Sequence, residues 1–206
     1  EICRCLVGSE MCIRDSLPGS PERAELKAEL LRQSAEVIEI PCIINGVEVY
    51  TDNVVEQVMP HNHSHVIARV HMAGEQEVNN AINAALSAHK NWSTMPWEAR
   101  GAIFLKASEL LKGKYRAKIN ASTMINQSKT CHQAEIDSAC ELIDFWRFNV
   151  QYAREIYEDL QPPVSPSSMW NSSEVRPLEG FVFSVTPFNF SSIAANLPSS
   201  AAIMGN

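Results

Sequence analysis

The chain has 206 residues, of which 45% are hydrophobic, and a formal net charge of −7 at pH 7. This length allows one domain, or one and a half, with a sizeable core, and the negative charge argues against a general nucleic-acid surface. No apolar run is long enough for a membrane-spanning helix, and six cysteines without a CxxC pair indicate free thiols in a reducing compartment, not a disulfide framework or a zinc site.

Residues 1–19 differ in composition from the rest of the chain. They hold three of the six cysteines, include Glu1, Glu10 and Asp15, and show no amphipathic period. A mitochondrial transit peptide is rich in Arg and Ser and poor in acidic residues. We therefore interpret residues 1–19 as non-native or disordered, for example translated adaptor or vector sequence, with a degenerate presequence as the alternative.

A helix is predicted to begin at Pro21 and to fade near Ala35. Ser20 is suited to cap it, and proline is favoured at the first helical position. Its predicted apolar face is a stripe at helical spacing, which Leu26 and Leu30 broaden on one side: Ala24, Ala28, Leu31 and Ala35.

Two strand pairs are predicted next. Asn45-Gly46 between apolar runs is a strong signal for a tight hairpin within residues 37–50. Residues 54–59 and 66–70 form the second predicted pair, joined by the polar segment 60–65, which contains His61, His63 and His65. Three histidines on one strand face could bind a metal, but no carboxylate or cysteine lies close in sequence, so we interpret the segment as a polar loop and predict no metal site.

Four helices are predicted to follow. The first begins at Glu75, the second is capped by Ser93 or Thr94 and ends at Gly113, the third spans residues 115–126 and the longest spans residues 132–156. The second has a predicted buried stripe, and the longest a predicted apolar face: Ile103, Ala107, Leu110 and Leu111; Ile136, Ala139, Cys140, Ile143, Trp146 and Val150.

Three polar features of the longest helix are candidates for chemistry. Cys131 and His132 are adjacent, so their side chains diverge on a helix, and we do not expect a catalytic pair. Cys140 is interpreted as a small buried hydrophobe. Glu141 and Asp144 share a side of the helix, and on pattern alone a solvated acidic face is favoured.

The last 29 residues read as a strand, a polar tip and a helix. Residues 181–185 are apolar, β-branched or aromatic, and predict a strand buried on both faces that ends at Thr186-Pro187. A helix of small residues from Ser191 to about Met204 follows. In an α/β sheet such a tip lies where ligands bind, so Asn189 either stabilises an oxyanion or merely caps the helix.

Several segments together resemble the aldehyde dehydrogenase superfamily and, within it, the delta-1-pyrroline-5-carboxylate dehydrogenases, also called L-glutamate gamma-semialdehyde dehydrogenases. The similarity extends from about Ser20 to Asn206. It is carried by IPCIINGVEVYT, FLKASELL, NQSKT, AEIDSACELIDFWRFN, EGFVFSVTPFNF and NLPSSAAIMGN. The resemblance implies an α/β fold in which N-terminal helices and hairpins precede the start of a doubly wound, NAD-binding Rossmann sheet, and a strand of a small oligomerisation sheet near residues 172–176.

The resemblance also implies a chemistry. In this family a cysteine thiolate attacks an aldehyde, hydride passes to NAD, and a glutamate activates the water that hydrolyses the thioester. Asn189 matches the transition-state stabiliser, and Thr186, with Pro187 and Phe188 beside it, matches a cofactor-contacting position, although serine is expected there in close relatives. Phe190 matches an aromatic that packs on the substrate stem, or is a core residue. Glu141 matches a glutamate near the substrate pocket.

The family's nucleophilic cysteine, general-base glutamate, glycine-rich turn and ribose-binding lysine have no match among these residues. We therefore expect an N-terminal fragment of an NAD-dependent enzyme of proline catabolism, inactive alone, in which residues 20–206 belong to the NAD-binding and oligomerisation region. The resemblance implies a dimer in the mitochondrial matrix, and no nucleic-acid or membrane partner is expected. The alternatives are an aldehyde dehydrogenase of other specificity and a non-catalytic structural or dimerisation product.

Overall fold

The computed structural model describes residues 17–206, so the expectations for residues 1–16 lie outside the described part. Six helices and five short strands follow one another in this part of the chain. The first half holds α1 (Pro21–Ala35), β1 (Ile38–Ile40), β2 (Cys42–Ile44), β3 (Val47–Val49), β4 (Val54–Met59), β5 (Asn62–His71) and α2 (Glu75–Thr94). The second half holds α3 (Trp97–Lys112), α4 (Arg116–Gln127), α5 (residues 131–159) and α6 (Ser191–Ile203).

Helix α5 is continuous but contains two π-helical stretches. It consists of Cys131–Ala134, the π stretch Glu135–Cys140, Glu141–Arg154 and the π stretch Glu155–Asp159. Sequence reasoning predicted this helix over residues 132–156. The π stretches were not predicted, because hydrophobic periodicity does not distinguish a short π segment from an α-helix.

Both predicted strand pairs are confirmed. Strands β2 and β3 pair in antiparallel register around Asn45 and Gly46, whose φ angles of 54° and 74° suit a tight hairpin turn. Strands β4 and β5 are also antiparallel. The predicted loop over residues 60–65 is wrong in extent, because β5 begins at Asn62. Register shifts on either side of Val58 allow the ladder to continue to the turn.

Strand β1 was missed. It pairs in parallel with β5, with Ile38 opposite Ala68 and Ile40 opposite Val70, and so makes the sheet order β1-β5-β4. Three residues are too few for a clear period-two pattern, and their pairing is supplied by a strand more than twenty residues away. The sequence therefore contains no local signal for β1, because its pairing partner β5 lies far away along the chain.

The predicted first residue of helix α1 agrees with the structure, but its predicted buried face does not. Ser20 caps α1 by accepting from the Arg23 N–H at 3.2 Å, as expected. The predicted alanine stripe of α1 is wrong, because Leu31 is 75% exposed, whereas Leu26 is buried and Leu30 packs on a core cluster. Burying a leucine removes more apolar area from water than burying an alanine, which favours the leucine face.

The predicted N-cap and the predicted buried face of helix α3 also differ from those in the structure. Its N-cap is Pro96, and the predicted caps Ser93 and Thr94 lie in α2 instead. Of the predicted stripe, Leu111 is buried, but Ile103 and Leu110 are exposed. The buried face is different: Arg100, Gly101, Ser108 and Leu111. A Cβ on Gly101 would lie 3.1 Å from Val150 Cγ1, so glycine permits close contact with α5.

Two apolar cores hold the elements together. One lies between α3, α5 and α6 and contains Leu111, Cys140, Leu142 and Ile143, with Ala195 packed against it. The other lies between the sheet and helices α1 and α4 and contains Met59, Ile67 and Ile125, with Leu30 packed against it. The first core fixes how α6, and the segment before it, sit on α5.

The predicted strand at residues 181–185 is not formed. Residues 172–188 contain no strand in the described structure, and Phe183 and Val185 are 80% and 76% exposed. The predicted strand at 172–176 is likewise not formed, and the Ser173 N–H donates instead to the Gln161 side chain at 2.9 Å. A strand needs hydrogen bonds from a neighbouring strand, and the described residues supply none here. The strand that was expected at residues 181–185 is therefore not formed within the described residues.

Arg100 joins four helices. It is 2% exposed, and its Nε donates to the Ile203 carbonyl at 3.0 Å. One terminal nitrogen donates to the Met95 carbonyl, and the other lies 3.0 Å from the Tyr157 hydroxyl. The guanidinium thus meets carbonyls at the C-terminal ends of α2 and α6, where a helix carries partial negative charge.

We expect Arg100→Met to lower the free energy of unfolding by about 3 kcal/mol or more, because several buried carbonyls lose a charged donor. Arg100→Lys keeps the charge but not the fork and should lose less. Urea unfolding followed by tryptophan fluorescence measures both. Arg154→Met is the matched control, since Arg154 forms an exposed pair with Glu158. Equal losses for Arg100→Met and Arg154→Met would contradict the anchoring role.

Glu29 generates a pH-dependent prediction. Hydrogen bonds from Arg32, and then from Gln33, lower the pKa of Glu29 from 4.5 to about 2. A lowered pKa contributes stability above pH 4.5 that is lost as the pH falls towards 2. We expect Glu29→Gln to cost about 0.5 kcal/mol near neutral pH and nothing near the lower pKa, as measured by urea unfolding. Glu25→Gln, at an exposed position of the same helix, is the matched control for the loss of one carboxylate.

Candidate active site

The predicted site residues lie at the N-terminal end of helix α6. Hydrogen bonds between polar side chains hold this helix against α4 and α5. It begins at Ser191, directly after the predicted site residues Thr186 to Phe190. The contacts run along most of its length: Ser191 Oγ lies 3.0 Å from Thr123 Oγ1 and 3.1 Å from Gln127 Nε2, Asn149 donates to Asn196 at 2.8 Å, and Trp146 donates to Ser199 at 3.0 Å. The N-terminal end of α6 is therefore fixed relative to α5.

Asn189 lies just outside α6. The N-cap residue is Phe190, with no side-chain cap, so the interpretation of Asn189 as the helix cap is wrong. Within residues 17–206, the backbone carbonyl of Asn189 accepts from Lys129 Nζ at 2.5 Å, while its side-chain amide makes no hydrogen bond. Asn189 is exposed. Its amide group is thus available to donate to a ligand at this end of the helix.

Phe190 is half-buried, and a cation faces its ring. Lys129 Nζ lies 4.1 Å from the ring centroid, close enough for a cation–π interaction. The same ammonium pairs with Asp137 Oδ2 at 2.7 Å. Phe190 is thus neither a fully buried core residue nor a free surface ring, because Lys129 contacts a ring that remains partly exposed.

Glu141 is brought to the same end of α6. Its Oε2 accepts from the buried hydroxyl of Ser192 at 2.9 Å, and the carboxylate is half-buried. The prediction of a solvated acidic face is therefore wrong for Glu141. The docking of α6 causes the difference, since Ser192 reaches Glu141 across more than fifty residues of sequence.

The remaining predicted residues lie on the segment before α6. Thr186 and Phe188 are exposed, Phe188 to 94%, and Pro187 is half-buried. They lie next to Asn189 in sequence, and the described part of the chain leaves Thr186 and Phe188 open to solvent. The structure thus gathers Glu141, Asn189 and Phe190 around the start of α6, with Thr186 to Phe188 leading up to it.

Sequence reasoning missed Lys129, Asp137 and Ser192. Lys129 lies in the quoted segment NQSKT, and a lysine in a short link between two helices carries no special signal by itself. Asp137 precedes Glu141 by four residues, so their shared helix face was visible in the sequence. Ser192 was hidden among the small residues of α6, and only helix docking reveals its partner.

The cysteines and histidines do not gather at this site as a metal centre. Across the described residues, no group of three His, Cys, Asp or Glu side chains is arranged to hold a metal ion. His61 Nδ1 lies 2.9 Å from Ser128 Oγ, and His65 Nε2 lies 2.8 Å from the Ser34 carbonyl. Cys140 is 3% exposed, which confirms that it is a buried residue, and Cys131 is half-buried at the start of α5. Along residues 17–206, none of the helices is both long and apolar enough to cross a bilayer.

Comparison with known proteins assigns the family. The model of the aldehyde dehydrogenase family matches residues 48–206, more than half of the chain. The chain belongs to the aldehyde dehydrogenase family. This confirms the resemblance stated from the sequence motifs, and it makes the surroundings of Asn189 part of an enzyme family's fold.

Two curated relatives are named delta-1-pyrroline-5-carboxylate dehydrogenase. The delta-1-pyrroline-5-carboxylate dehydrogenase of Agaricus bisporus is 51% identical over 190 residues, which are 92% of this chain and 35% of that protein. The mitochondrial enzyme of that name from Homo sapiens is 47% identical over 188 residues, 91% of this chain and 33% of that protein. The chain thus spans about a third of the length of the relatives that it matches.

The same group appears among solved structures. The delta-pyrroline-5-carboxylate dehydrogenase from Mycobacterium tuberculosis, solved with NAD bound, matches with a TM-score of 0.89 at 46% identity. The match covers 92% of this chain and 35% of that one. The aldehyde dehydrogenase fold expected from the sequence is therefore confirmed for these residues, although residues 181–185 do not form the predicted strand.

The contact between Ser192 and Glu141 is testable. We expect Ser192→Ala to lower the free energy of unfolding by about 1–3 kcal/mol, because a half-buried carboxylate loses a hydroxyl donor. Ser200→Ala, at an exposed position of the same helix, is the control and should change it by less than about 0.5 kcal/mol. A double-mutant cycle with Glu141→Gln isolates the pair. A coupling energy near zero would show that the contact contributes nothing.

Proposed function

We propose that the protein to which these residues belong oxidises L-glutamate gamma-semialdehyde, formed from pyrroline-5-carboxylate, to L-glutamate with NAD in proline catabolism. The observation that carries the proposal is 51% identity over 92% of the chain to a protein named delta-1-pyrroline-5-carboxylate dehydrogenase. The structural match at a TM-score of 0.89 to an NAD-bound enzyme of the same name supports it.

Asn189 is the proposed catalytic residue. Its side-chain amide is free of hydrogen bonds within the described residues, and it lies where the carbonyl beside it is held by Lys129. An amide N–H₂ is a neutral donor, suited to an oxygen that gains negative charge as a nucleophile attacks an aldehyde. A pre-placed donor of this kind typically contributes about 10²–10³ in rate.

Phe190 and Glu141 are proposed substrate contacts. The exposed part of the Phe190 ring offers an apolar surface for the aliphatic stem of the semialdehyde. The Glu141 carboxylate accepts one hydrogen bond from Ser192 at 2.9 Å and retains lone pairs for a positively charged group of the substrate. The two residues flank the start of α6, so they suit a short substrate with an apolar middle and a charged end.

Thr186, Pro187 and Phe188 are proposed cofactor contacts. Their segment is open to solvent, Thr186 presents a hydroxyl, and Phe188 is 94% exposed, so a dinucleotide can reach all three. The residues therefore fit a cofactor surface, although they form one part of it. NAD, when bound, accepts the hydride of the aldehyde carbon.

We also propose that residues 20–206 form the N-terminal part of an NAD-binding and oligomerisation region, within a homodimer of the mitochondrial matrix. The mitochondrial placement is supported by the names of several relatives, including the human one. The exposed apolar side chains before α6 support a covered position in the assembled protein, because burial of apolar area against another surface lowers the free energy: Val164, Met169, Trp170, Phe183, Val185 and Phe188.

Steady-state kinetics of the complete protein test the proposal. We expect NADH formation with L-glutamate gamma-semialdehyde and a lower kcat/KM with acetaldehyde and succinic semialdehyde. Asn189→Ala should lower kcat by about 10²–10³ because the oxyanion loses its donor. Asn79→Ala, on the exposed face of α2, is the matched control and should leave kcat unchanged.

One result would contradict the proposed substrate, and another would contradict the expectation that these residues are inactive alone. A wild-type protein that prefers another aldehyde would favour a different specificity within the family. NAD-dependent aldehyde oxidation by the purified 206-residue chain would show that the chain contains a complete catalytic set, because we expect none of its six cysteines to serve as the nucleophile.

A further inference from the structure

Lys129 occupies a rigid link between two helices. The link consists of Ser128, Lys129 and Thr130, between the end of α4 and the start of α5. Ser128 adopts a left-handed conformation with φ of 52° and ends α4. Thr130 and Gln133 form a capping box that begins α5. The backbone on both sides of Lys129 is therefore set, and its side chain starts from a defined position.

The ammonium of Lys129 is fixed by three neighbours. It lies 2.7 Å from Asp137 Oδ2, 2.5 Å from the Asn189 carbonyl oxygen and 4.1 Å from the centroid of the Phe190 ring. The Lys129 side chain is 13% exposed and that of Asp137 is 21% exposed. An ion pair screened from solvent to this degree holds its geometry better than a surface pair.

The carbonyl that Lys129 holds is not part of helix α6. The first carbonyl of the α6 ladder is that of Phe190, which accepts from the Ala194 N–H at 3.1 Å. The Asn189 carbonyl therefore has no partner within the helix, and the Lys129 ammonium fixes the peptide unit between Asn189 and Phe190. The Asn189 side chain projects from this same unit.

We propose that Lys129, held by Asp137, is a positioning residue that sets where the Asn189 side-chain amide points. The proposal rests on the proposed function, in which that amide stabilises the oxyanion. Lys129 does not touch substrate in this role. It acts through the backbone of Asn189, and its ammonium also contacts the ring of the next residue, Phe190.

The expected effect is on turnover and not on the affinity for NAD. A displacement of a reacting group by about 1 Å can cost about 10²-fold in rate. Loss of Lys129 releases the Asn189 peptide and removes the cation from the Phe190 ring, but it leaves the proposed cofactor contacts Thr186, Pro187 and Phe188 in place. The KM for NAD should therefore change little while kcat falls, which separates lost positioning of Asn189 from a general loss of the site.

The first test does not depend on catalysis. In the chain labelled with ¹⁵N-asparagine and ¹⁵N-phenylalanine, Lys129→Met should shift the Asn189 and Phe190 resonances and lower their heteronuclear NOE values. Lys129→Arg should restore them, because a guanidinium also donates and stacks on aromatic rings. Asp137→Asn should give an intermediate result. Lys106→Met, at an exposed position of α3, is the matched control and should change neither residue.

The second test measures the reaction in the complete protein. We expect Lys129→Met to lower kcat about ten- to a hundred-fold with the KM for NAD within about two-fold, and Lys129→Arg to recover most of kcat. In an Asn189→Ala background, Lys129→Met should lower kcat by less than about two-fold, because the group that it positions is already gone. Lys106→Met should retain wild-type kcat.

The outcomes separate the two proposals. If the wild-type protein oxidises no aldehyde, the proposed function fails, whatever Lys129 does to the resonances. If it is active and Lys129→Met keeps the wild-type kcat, or lowers kcat equally in the wild-type and Asn189→Ala backgrounds, the positioning role is overturned and the function stands. Resonance shifts throughout the chain with Lys129→Met, without rescue by arginine, would likewise overturn it by showing a general loss of structure.

Discussion

The buried guanidinium of Arg100 is the contact on which the arrangement of the helices depends. It reaches the C-terminal ends of α2 and α6 from the first turn of α3, and it meets the Tyr157 hydroxyl on α5. Trp92 reinforces this junction by donating to the Ala202 carbonyl at 2.8 Å. These contacts fix the C-terminal end of α6. The position of its N-terminal end along α5, where Ser192 donates to Glu141, is therefore fixed as well.

A second buried charge, the carboxylate of Glu135, holds α4 against α5. Glu135 is fully buried in a π stretch of α5, and its carboxylate pairs with Arg116 of α4 at 2.6 Å and accepts from Asn120. A buried carboxylate is costly unless its oxygens are paired, and here both are. This pair fixes α4 against α5, and so it also fixes the link that carries Lys129. The candidate site is therefore built between two rigid junctions.

The segment before α6 contrasts with this rigid support. Residues 181–188 are rich in apolar side chains, yet most of these are exposed, since no strand of the described chain pairs with them. A segment of this composition is typical of a strand in a sheet that is buried on both faces. The hydrogen bond between Lys129 and the Asn189 carbonyl therefore determines the position of the C-terminal end of this segment, which forms no helix or strand of its own.

The sequence by itself determined the local structure and the family. Asn45-Gly46 specified a hairpin, Ser20-Pro21 began α1 and Gly113 ended α3, because caps and turns depend on residues a few positions apart. The motif around Asn189 identified the aldehyde dehydrogenase family. Only the tertiary structure decided which helix faces are buried, where β1 pairs, and that residues 181–185 lack a partner. It also brought Lys129 to Asn189, since contacts across sixty residues depend on how the helices pack and not on local pattern.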